Sequence, residues 1–437
     1  MSAPLYSWGR YPNAPQTAHS CHWQSELPGL LTELADAHGS TLPYGNGRSY
    51  GDSCLATSSQ ALHMRSLDRF IHVDWQRGTV QAEAGVTLAE ILTLAIPHGW
   101  FLSVTPGTQF ATLGGAIAND VHGKNHHVRG TFGNHVRRFG LIRQGQGMLT
   151  CSIEENPDLY AATIGGLGLT GIIAWSEIQL MPIRSSQIDS SVVRFGNLAE
   201  FFTLSAELDH QHEYSVAWID CLAQGAHAGR GVFIVGDHAP YGSLELEART
   251  KRQVPVTPPI SLINNLSLRA FNEAYWRSHP LKHTFKRSGY DAFFYPLDRL
   301  LHWNRIYGRQ GFQQYQCVIP DSAAEAATKE LLRVIAESGQ GSFLAVLKRC
   351  GNIASPGLMS FPMPGTSLAL DFPQKASLAA LFARLDTIVR EAGGRLYPAK
   401  DAHMSGADFR QAYPAWEQLE ALRDPTLMSR FWKRVIT

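Results

Sequence analysis

The residues best suited to chemistry crowd into one stretch, Val104 to Val136, which reads VTPGTQFATLGGAIANDVHGKNHHVRGTFGNHV. It holds six glycines and four histidines, His122, His126, His127 and His135, with almost no helical period. Three chemistries fit such a mixture: a metal site, a phosphate cradle, or a cleft for a flat cofactor. Metal is the weakest of them. The spacing from His122 to His126 suits one helix face, but Gly123 and the flanking glycines argue against a helix. Apart from Asp120, no carboxylate or cysteine pair stands close enough in sequence to complete a coordination shell. Histidines lining a cofactor cleft are the better reading.

Two further glycine-rich segments bear on the choice. LPYGNGRSYGD, from Leu42 to Asp52, places Gly45, Gly47 and Gly51 among polar residues after a strand. Glycines let backbone N–H groups approach a phosphate without a Cβ in the way. Alone this is a tight turn; paired with the 104–136 stretch, it could close on one pyrophosphate from the opposite side. The third segment, IGGLGLTGIIAW, spells G-x-G-x-x-G at Gly166, Gly168 and Gly171. A dinucleotide fingerprint needs a helix after these glycines. The residues after them, IIAWSEIQLMP, alternate and are β-branched, so they read as a strand and the Rossmann reading fails. Here the glycines let backbone pass close to a flat ligand.

The elements that must hold these segments are legible in outline. FIHVDW alternates, turns at Arg77-Gly78 and returns as TVQAEAG; Thr87 then caps a helix over LAEILTLAIPHGW that ends near Pro97 and Gly99. SAAEAATKELLRVIAESG and SLAALFARLDTIVREAGG have helical spacing with terminal glycines, and SFLAVLK and LALDF between them read as strands. This is an α+β pattern, a sheet covered by helices. The segment from Arg249 to Phe271 is different: basic at first, with three prolines, then apolar without a period. It reads as a long surface loop, a flap or a patch that lies on lipid.

Composition excludes several classes. Lys plus Arg number 38 against 37 Asp plus Glu, so no global field draws nucleic acid or an anionic membrane. No apolar run is long enough to span a bilayer, and the N-terminus lacks a secretory signal pattern. Six scattered cysteines without a CxxC pair read as reduced thiols of a cytoplasmic protein.

The three glycine segments, in this order, resemble the FAD-binding domain of the vanillyl-alcohol-oxidase superfamily, of the p-cresol-methylhydroxylase (PCMH) type. SWGRYP, GRSYGD, GGAIANDVHGKNHHVRGTFGNHV, WNRIYG…FQQYQCVIP, MSFPMPGTSLALDFP and GGRLYPAKDAHM span nearly the whole chain. They narrow the resemblance to the decaprenylphosphoryl-β-D-ribose 2′-oxidase family. The resemblance implies two domains: an FAD-binding PCMH-type domain over residues 1–190, and a substrate domain of antiparallel sheet covered by helices over 191–394. A C-terminal segment, 395–437, would return to the FAD domain.

It also implies cofactor contacts residue by residue. The first loop would contribute Pro43, Tyr44, Gly45, Asn46, Gly47, Arg48, Ser49, Tyr50, Gly51, Asp52 and Ser53. The second stretch would contribute Gly107, Thr112, Leu113, Gly114, Gly115, Asn119, Asp120, Val121 and His122, with Ile173 and Tyr397 added from elsewhere. Many relatives in the wider superfamily tether the flavin through a histidine of the first loop. Here Arg48, Ser49 and Tyr50 occupy that stretch, which implies FAD held without a covalent bond. Lys400, His122 and Tyr50 are the candidate catalytic residues by the same carry-over, and Gln314, Gln316, Lys348 and Lys400 the candidate substrate contacts. A fixed ammonium at Lys400 would stabilise charge developing on a reduced flavin and orient a hydroxyl. Pathogen members of the family carry a cysteine where this chain has Ala369.

The implied reaction is oxidation of the C2 hydroxyl of a polyprenylphosphoryl ribofuranose to the keto sugar. An NAD(P)H-dependent reductase partner would complete epimerisation to the arabinose form used in the cell envelope, and a quinone or oxygen would accept the electrons. The resemblance also leaves room for peripheral contact with the membrane, at its inner or its periplasmic face. An aldonolactone or alditol oxidase and a flavin-binding paralogue without turnover are the competing readings.

Overall fold

A computed structural model describes residues 3–246, 252–279 and 283–437. Two sheets near the N-terminus carry the glycine segments. A three-stranded parallel sheet joins Thr17–Ser20, Gln60–His63 and Leu42–Tyr44, so that the first glycine loop leaves directly from a strand end. An antiparallel sheet then orders Phe70–Asp74, Thr79–Glu83, Ile172–Pro182, Val136–Arg143 and Gly147–Ser152, with Trp100–Leu102 pairing the long central strand. The hairpin read at Arg77-Gly78 is present, and Gly78 sits at φ 66°, which few other residues adopt. The capped helix is Leu88–Ala95. The Thr87 hydroxyl accepts from Glu90 N and the Glu90 carboxylate accepts from Thr87 N, a reciprocal cap contributing about 1 kcal/mol.

The larger sheet has eight strands in the order Thr284–Gly289, Gln187–Phe195, Gly231–His238, Tyr214–Ile219, Ala345–Cys350, Gly365–Pro373, Phe312–Pro320 and Arg395–Leu396. Among the described residues its strands pair antiparallel throughout. Strand alternation gives it two faces. Ala345, Leu347, Leu368, Leu370, Phe372, Tyr315 and Cys317 point into one apolar core. That core is closed by the helices Leu198–Leu208, Ala324–Ser338 and Leu378–Glu391, which supply Phe201, Leu331 and Leu385 among others. Helix and strand content with antiparallel sheets makes the fold α+β. The glycines of IGGLGLTG lead into the strand Ile172–Pro182 and no helix, as the alternation required.

The chain ends return to its beginning. Met428 N donates to Thr41 O, Arg430 N to Leu55 O, and Arg434 forms ion pairs with Asp52 and Asp401. The segment read as a loop from Arg249 to Phe271 is only partly irregular, and its residues 249–251 lie outside the described residues. A helix, Asn265–Arg277, begins inside it because Asn264 caps Ser267 N and Leu268 finds a buried position. The part before the helix is pinned: Arg252–Gln253 pairs Leu300–Leu301, and Leu262 N donates to Ile306 O. Among the described residues no helix is long and apolar enough to cross a membrane.

Candidate active site

One cavity of about 380 Å³ lies where the glycine segments meet the open face of the eight-stranded sheet. Its first wall is main chain and small side chains. A Cβ on Gly45 would fall 2.3 Å from Thr112 Oγ1, so the first and second glycine segments touch. A Cβ on Gly168, in the third segment, would lie 3.2 Å from Pro43 of the first. The Trp8 ring, from SWGRYP, stacks under the Arg48 guanidinium at 4.2 Å, and Trp8 N donates to Ser49 O. This strap continues to Gly9, which accepts from Phe312 N, and so ties the loop to the large sheet.

The second wall is the sheet face opposite the core. Val216, Val346, Lys348, Ser367, Ala369, Asp371, Gln314 and Gln316 line it at alternate positions of four neighbouring strands. Register sets their order: Gln314 stands opposite Asp371, Ala369 lies between Gln316 and Val346, and Lys348 stands opposite Ser367.

Charge in this cavity is unusual. Three amines, Lys124, Lys348 and Lys400, all line it. Burial lowers each to about 8, so they hold their protons less firmly than a solvated lysine. Lys348 Nζ donates to Gly123 O at 2.7 Å and to His122 Nδ1. His122 Nε2 lies 3.2 Å from Gln316 Nε2, so both ring nitrogens are engaged by neighbouring side chains. Burial and the neighbouring ammonium groups push His122 well below the ordinary imidazole range, and it is neutral. Lys400 Nζ sits 3.8 Å from the Tyr50 ring centroid. Burial raises the Tyr50 phenol well above its ordinary value, and the Asp371 charge adds to this. Asp371 is itself raised by burial to about 7, an effect opposed by its Gln314 hydrogen bond and by Lys400.

Over 96% of its length the chain is 33% identical to decaprenylphosphoryl-beta-D-ribose oxidase of Mycolicibacterium smegmatis, of which it covers 94%. The chain belongs to the decaprenylphosphoryl-β-D-ribose oxidase family. The family model for an FAD binding domain matches residues 20–152. Two other relatives are similar over shorter stretches. L-gulonolactone oxidase of Mus musculus is 29% identical over 32% of this chain and 31% of its own length. L-galactono-1,4-lactone dehydrogenase 1 of Oryza sativa subsp. japonica is 28% identical over 37% of this chain and 28% of its own. This member of the decaprenylphosphoryl-β-D-ribose oxidase family is therefore an FAD-dependent oxidoreductase.

The site fits that cofactor on its own chemistry. Gly45, Gly47 and Gly114 keep the wall bare where a Cβ would strike Thr112, Tyr44 or Ala84. Ser53 Oγ and Arg48 Nε are buried at the wall without a hydrogen-bond partner among the described residues, two donors available to a bound nucleotide.

Most of the residues singled out in the sequence meet here. Pro43 through Tyr50, Ser53, Gly107, Thr112, Gly114, Gly115, Asn119, Val121, His122, Ile173, Gln314, Gln316, Lys348, Tyr397 and Lys400 all line the cavity. Four do not. Gly51 backs onto Asp401 O, which leaves no space for a Cβ. Asp52 is committed to Arg434. Leu113 faces the core on a short helix, Leu113–Ala118. Asp120 turns away from the cavity, accepting from Gly133 N at 2.8 Å and from Ser355 Oγ at 2.6 Å. The other histidines of the motif are used locally. His126 Nδ1 accepts from Gly351 N, and His127 and His135 bond the carbonyls of His212 and Arg129. Several lining residues were not singled out, Lys124 and Asp371 among them. Lys124 is partly covered by Phe293 and Phe294 from a distant segment, a contact no local pattern announces. Asp371 had a signal: it stands two positions past Ala369 on one strand, hence on the same face.

Proposed function

We propose that this protein oxidises the C2 hydroxyl of a polyprenylphosphoryl ribofuranose to the 2-keto sugar. One observation carries the reading: a main-chain cradle suited to FAD faces a sheet wall that bears Lys348, with the amines of Lys124 and Lys400 in the same cavity. Bound FAD supplies the oxidant, accepting a hydride from the carbinol carbon. The chain's residues do the rest. Lys400 presents positive charge where negative charge grows during reduction. Gln314 and Gln316 offer amide groups to sugar hydroxyls. Lys348 engages His122 and, with Lys124, makes this end of the cavity suited to a phosphate oxygen. Tyr397, its hydroxyl donating to Asn119 O, and the Phe361 ring stacked on it at 4.5 Å close the floor.

We assign residues 1–190 with 395–437 to cofactor binding and 191–394 to substrate binding. Supporting this, the cradle lies in the first range and most of the sheet face in the third. The strands Gln187–Phe195 and Arg395–Leu396 straddle those limits, both being part of the large sheet. The FAD is held non-covalently in this reading. His122 Nδ1 is engaged, and burial pushes the Cys54 thiol at the cavity wall up to about 12, where it is no nucleophile. Acid precipitation should leave the yellow colour in the supernatant.

A lipid-tailed substrate suits the surface beside the cavity. Val256, Ile260, Leu262 and Leu266 are exposed there, while Ile263 packs against the aromatic cluster of Trp303, Tyr307 and Phe312, as Trp8 and Tyr50 of the wall also do. We assign this surface to the polyprenyl chain and to peripheral contact with the membrane. An NAD(P)H-dependent reductase would consume the keto sugar, and a quinone or oxygen would take the electrons. A small soluble lactone is the weaker reading, because similarity to the lactone-oxidising relatives extends over only about a third of the chain. Anaerobic mixing with phospho-sugars and aldonolactones tests this directly. Bleaching of the flavin band by a polyprenylphosphoryl ribose is expected, and bleaching by lactones alone would overturn the reading.

A further inference from the structure

Oxidising a carbinol removes a hydride from carbon and a proton from oxygen, and the second needs a base within reach. The two residues that the sequence suggests for that role are occupied. Tyr50 packs against the Trp303 cluster, and desolvation, with the Asp371 charge, holds its phenol protonated. His122 has Nδ1 against Lys348 Nζ and Nε2 against Gln316 Nε2, so both ring nitrogens are engaged. Lys348 is spent on Gly123 O and His122, and Lys124 reaches Phe294 O at 3.4 Å.

Asp371 differs from all of these. It is wholly buried, on the cavity face of the strand Gly365–Pro373. Its backbone N donates to Ser342 Oγ at 2.9 Å and its Oδ1 accepts from Gln314 Nε2 at 2.6 Å, so the residue is held from two sides. Oδ2 is buried with no hydrogen-bond partner among the described residues. A buried carboxylate oxygen left without a donor is costly, and a hydroxyl entering the cavity supplies one. We propose that Asp371 is the general base that takes the proton of the sugar hydroxyl, with Lys400 as the cation that keeps it ionised. The proposal rests on the alcohol-oxidation reading above. In the step, the O–H proton passes to Asp371 Oδ2 and the O–H electron pair becomes the second bond of the carbonyl. The C–H hydrogen leaves with its own electron pair to FAD, the two-electron oxidant.

The titratable groups facing Asp371 are Lys400 from the turn after Tyr397, Tyr50 from the first glycine loop, and Tyr307 behind it. Arg48 and Asp298 stand beyond Tyr50. Burial has raised the carboxyl into the range where a base is most useful at neutral pH. Below this range the carboxyl is protonated and cannot accept, so flavin reduction rises with pH through neutrality.

The test uses the FAD-loaded enzyme and the variants Asp371→Asn and Asp371→Glu. Asp371→Asn is expected to keep its FAD and lose flavin reduction by roughly 10²–10⁴-fold. Its residual rate should show no acid limb. Asp371→Glu should restore part of the rate with the limb displaced. An Asn variant that reduces within about threefold of the parent, or keeps the acid limb, overturns the assignment. Infrared difference spectra between about pH 5 and about pH 9 give a second readout that needs no substrate. A protonated carboxyl band titrating near neutrality and missing in Asp371→Asn supports the proposal, and no such band in the parent overturns it. If the band titrates but no alcohol bleaches the flavin, the reading that has failed is the substrate class and not the titrating carboxylate.

Discussion

The two walls of the cavity recognise by different means. The glycine wall presents main chain: three segments, distant in sequence, approach because Gly45, Gly114 and Gly168 have no side chains to hold them apart. The sheet wall presents side chains, one from every second residue, whose neighbours are decided by strand register. A main-chain wall is specified locally, by which side chains are absent. A sheet wall is specified at long range, by which strands pair. The first therefore tolerates changes in charge but not in volume, and the second the reverse.

The most damaging change should strike the joint between the walls. Arg434 bridges Asp52 in the first glycine loop and Asp401 beside Lys400, both nearly inaccessible. Arg434→Met leaves buried Asp52 without its cation and Asp401 with His403 alone, which costs on the order of 3–5 kcal/mol. Denaturant unfolding should show that loss, and it should shrink as pH falls. Unpaired, the Asp52 carboxyl titrates above its unfolded value, so protonation relieves the variant's penalty at low pH. A deficit independent of pH would mean that Arg434 acts by packing alone.

Lys400→Met should spare the glycine wall and strike the chemistry. FAD should stay bound, while flavin reduction drops by about 10²–10³-fold, the scale of a lost preorganised charge at a reacting centre. In the parent enzyme the rate should also fall as pH rises past about 8, where Lys400 gives up its proton. That basic limb should vanish in the variant. Unchanged reduction would remove Lys400 from the chemistry.

Gly45→Val breaks the glycine wall itself. Its Cβ would lie 2.3 Å from Thr112 Oγ1, a hydroxyl already accepting from Gly115 N. Overpacking of this kind costs about 1–3 kcal/mol, or roughly 10–100-fold in FAD affinity. Reduction measured per bound flavin should stay close to the parent value. If instead the rate falls and affinity holds, the walls are not separate devices.

The same contrast explains how much was legible in the sequence. The α+β class, the Gly78 hairpin, the Thr87 cap and the two long helices follow from local patterns and stand where those patterns put them. So does most of the glycine wall. Reading a motif as a block went too far at Leu113 and Asp120, because alternate residues of a contacting segment face away from the ligand. The sheet wall was read only where the resemblance marked it. Asp371 was within reach of simple strand alternation from Ala369. Lys124 was not, since its partial cover comes from Phe293 and Phe294, about 170 residues further on. The helix inside the 249–271 segment escaped because Asn264 and Ser267 make its cap from residues that also favour loops.

The smallest change sharpens the comparison by putting one chemical group on each wall. Cys54 already lines the glycine side, among neighbours that raise its thiol to about 12 by burial and by the Asp52 charge. Ala369→Cys would place a second thiol on the sheet side, between Gln316 and Val346 and in the cavity of Lys348 and Lys400. Ammonium groups favour a thiolate, so the new thiol should be the reactive one. Alanine to cysteine adds a single atom to a partly open position, so turnover should change by less than about threefold. The parent enzyme should resist thiol-directed alkylation with its activity intact. The variant should take one equivalent and stop turning over while keeping its FAD, because the modified wall is not the wall that holds the cofactor. Loss of FAD on alkylation would show that the two walls share more of their contacts than the strand register allows.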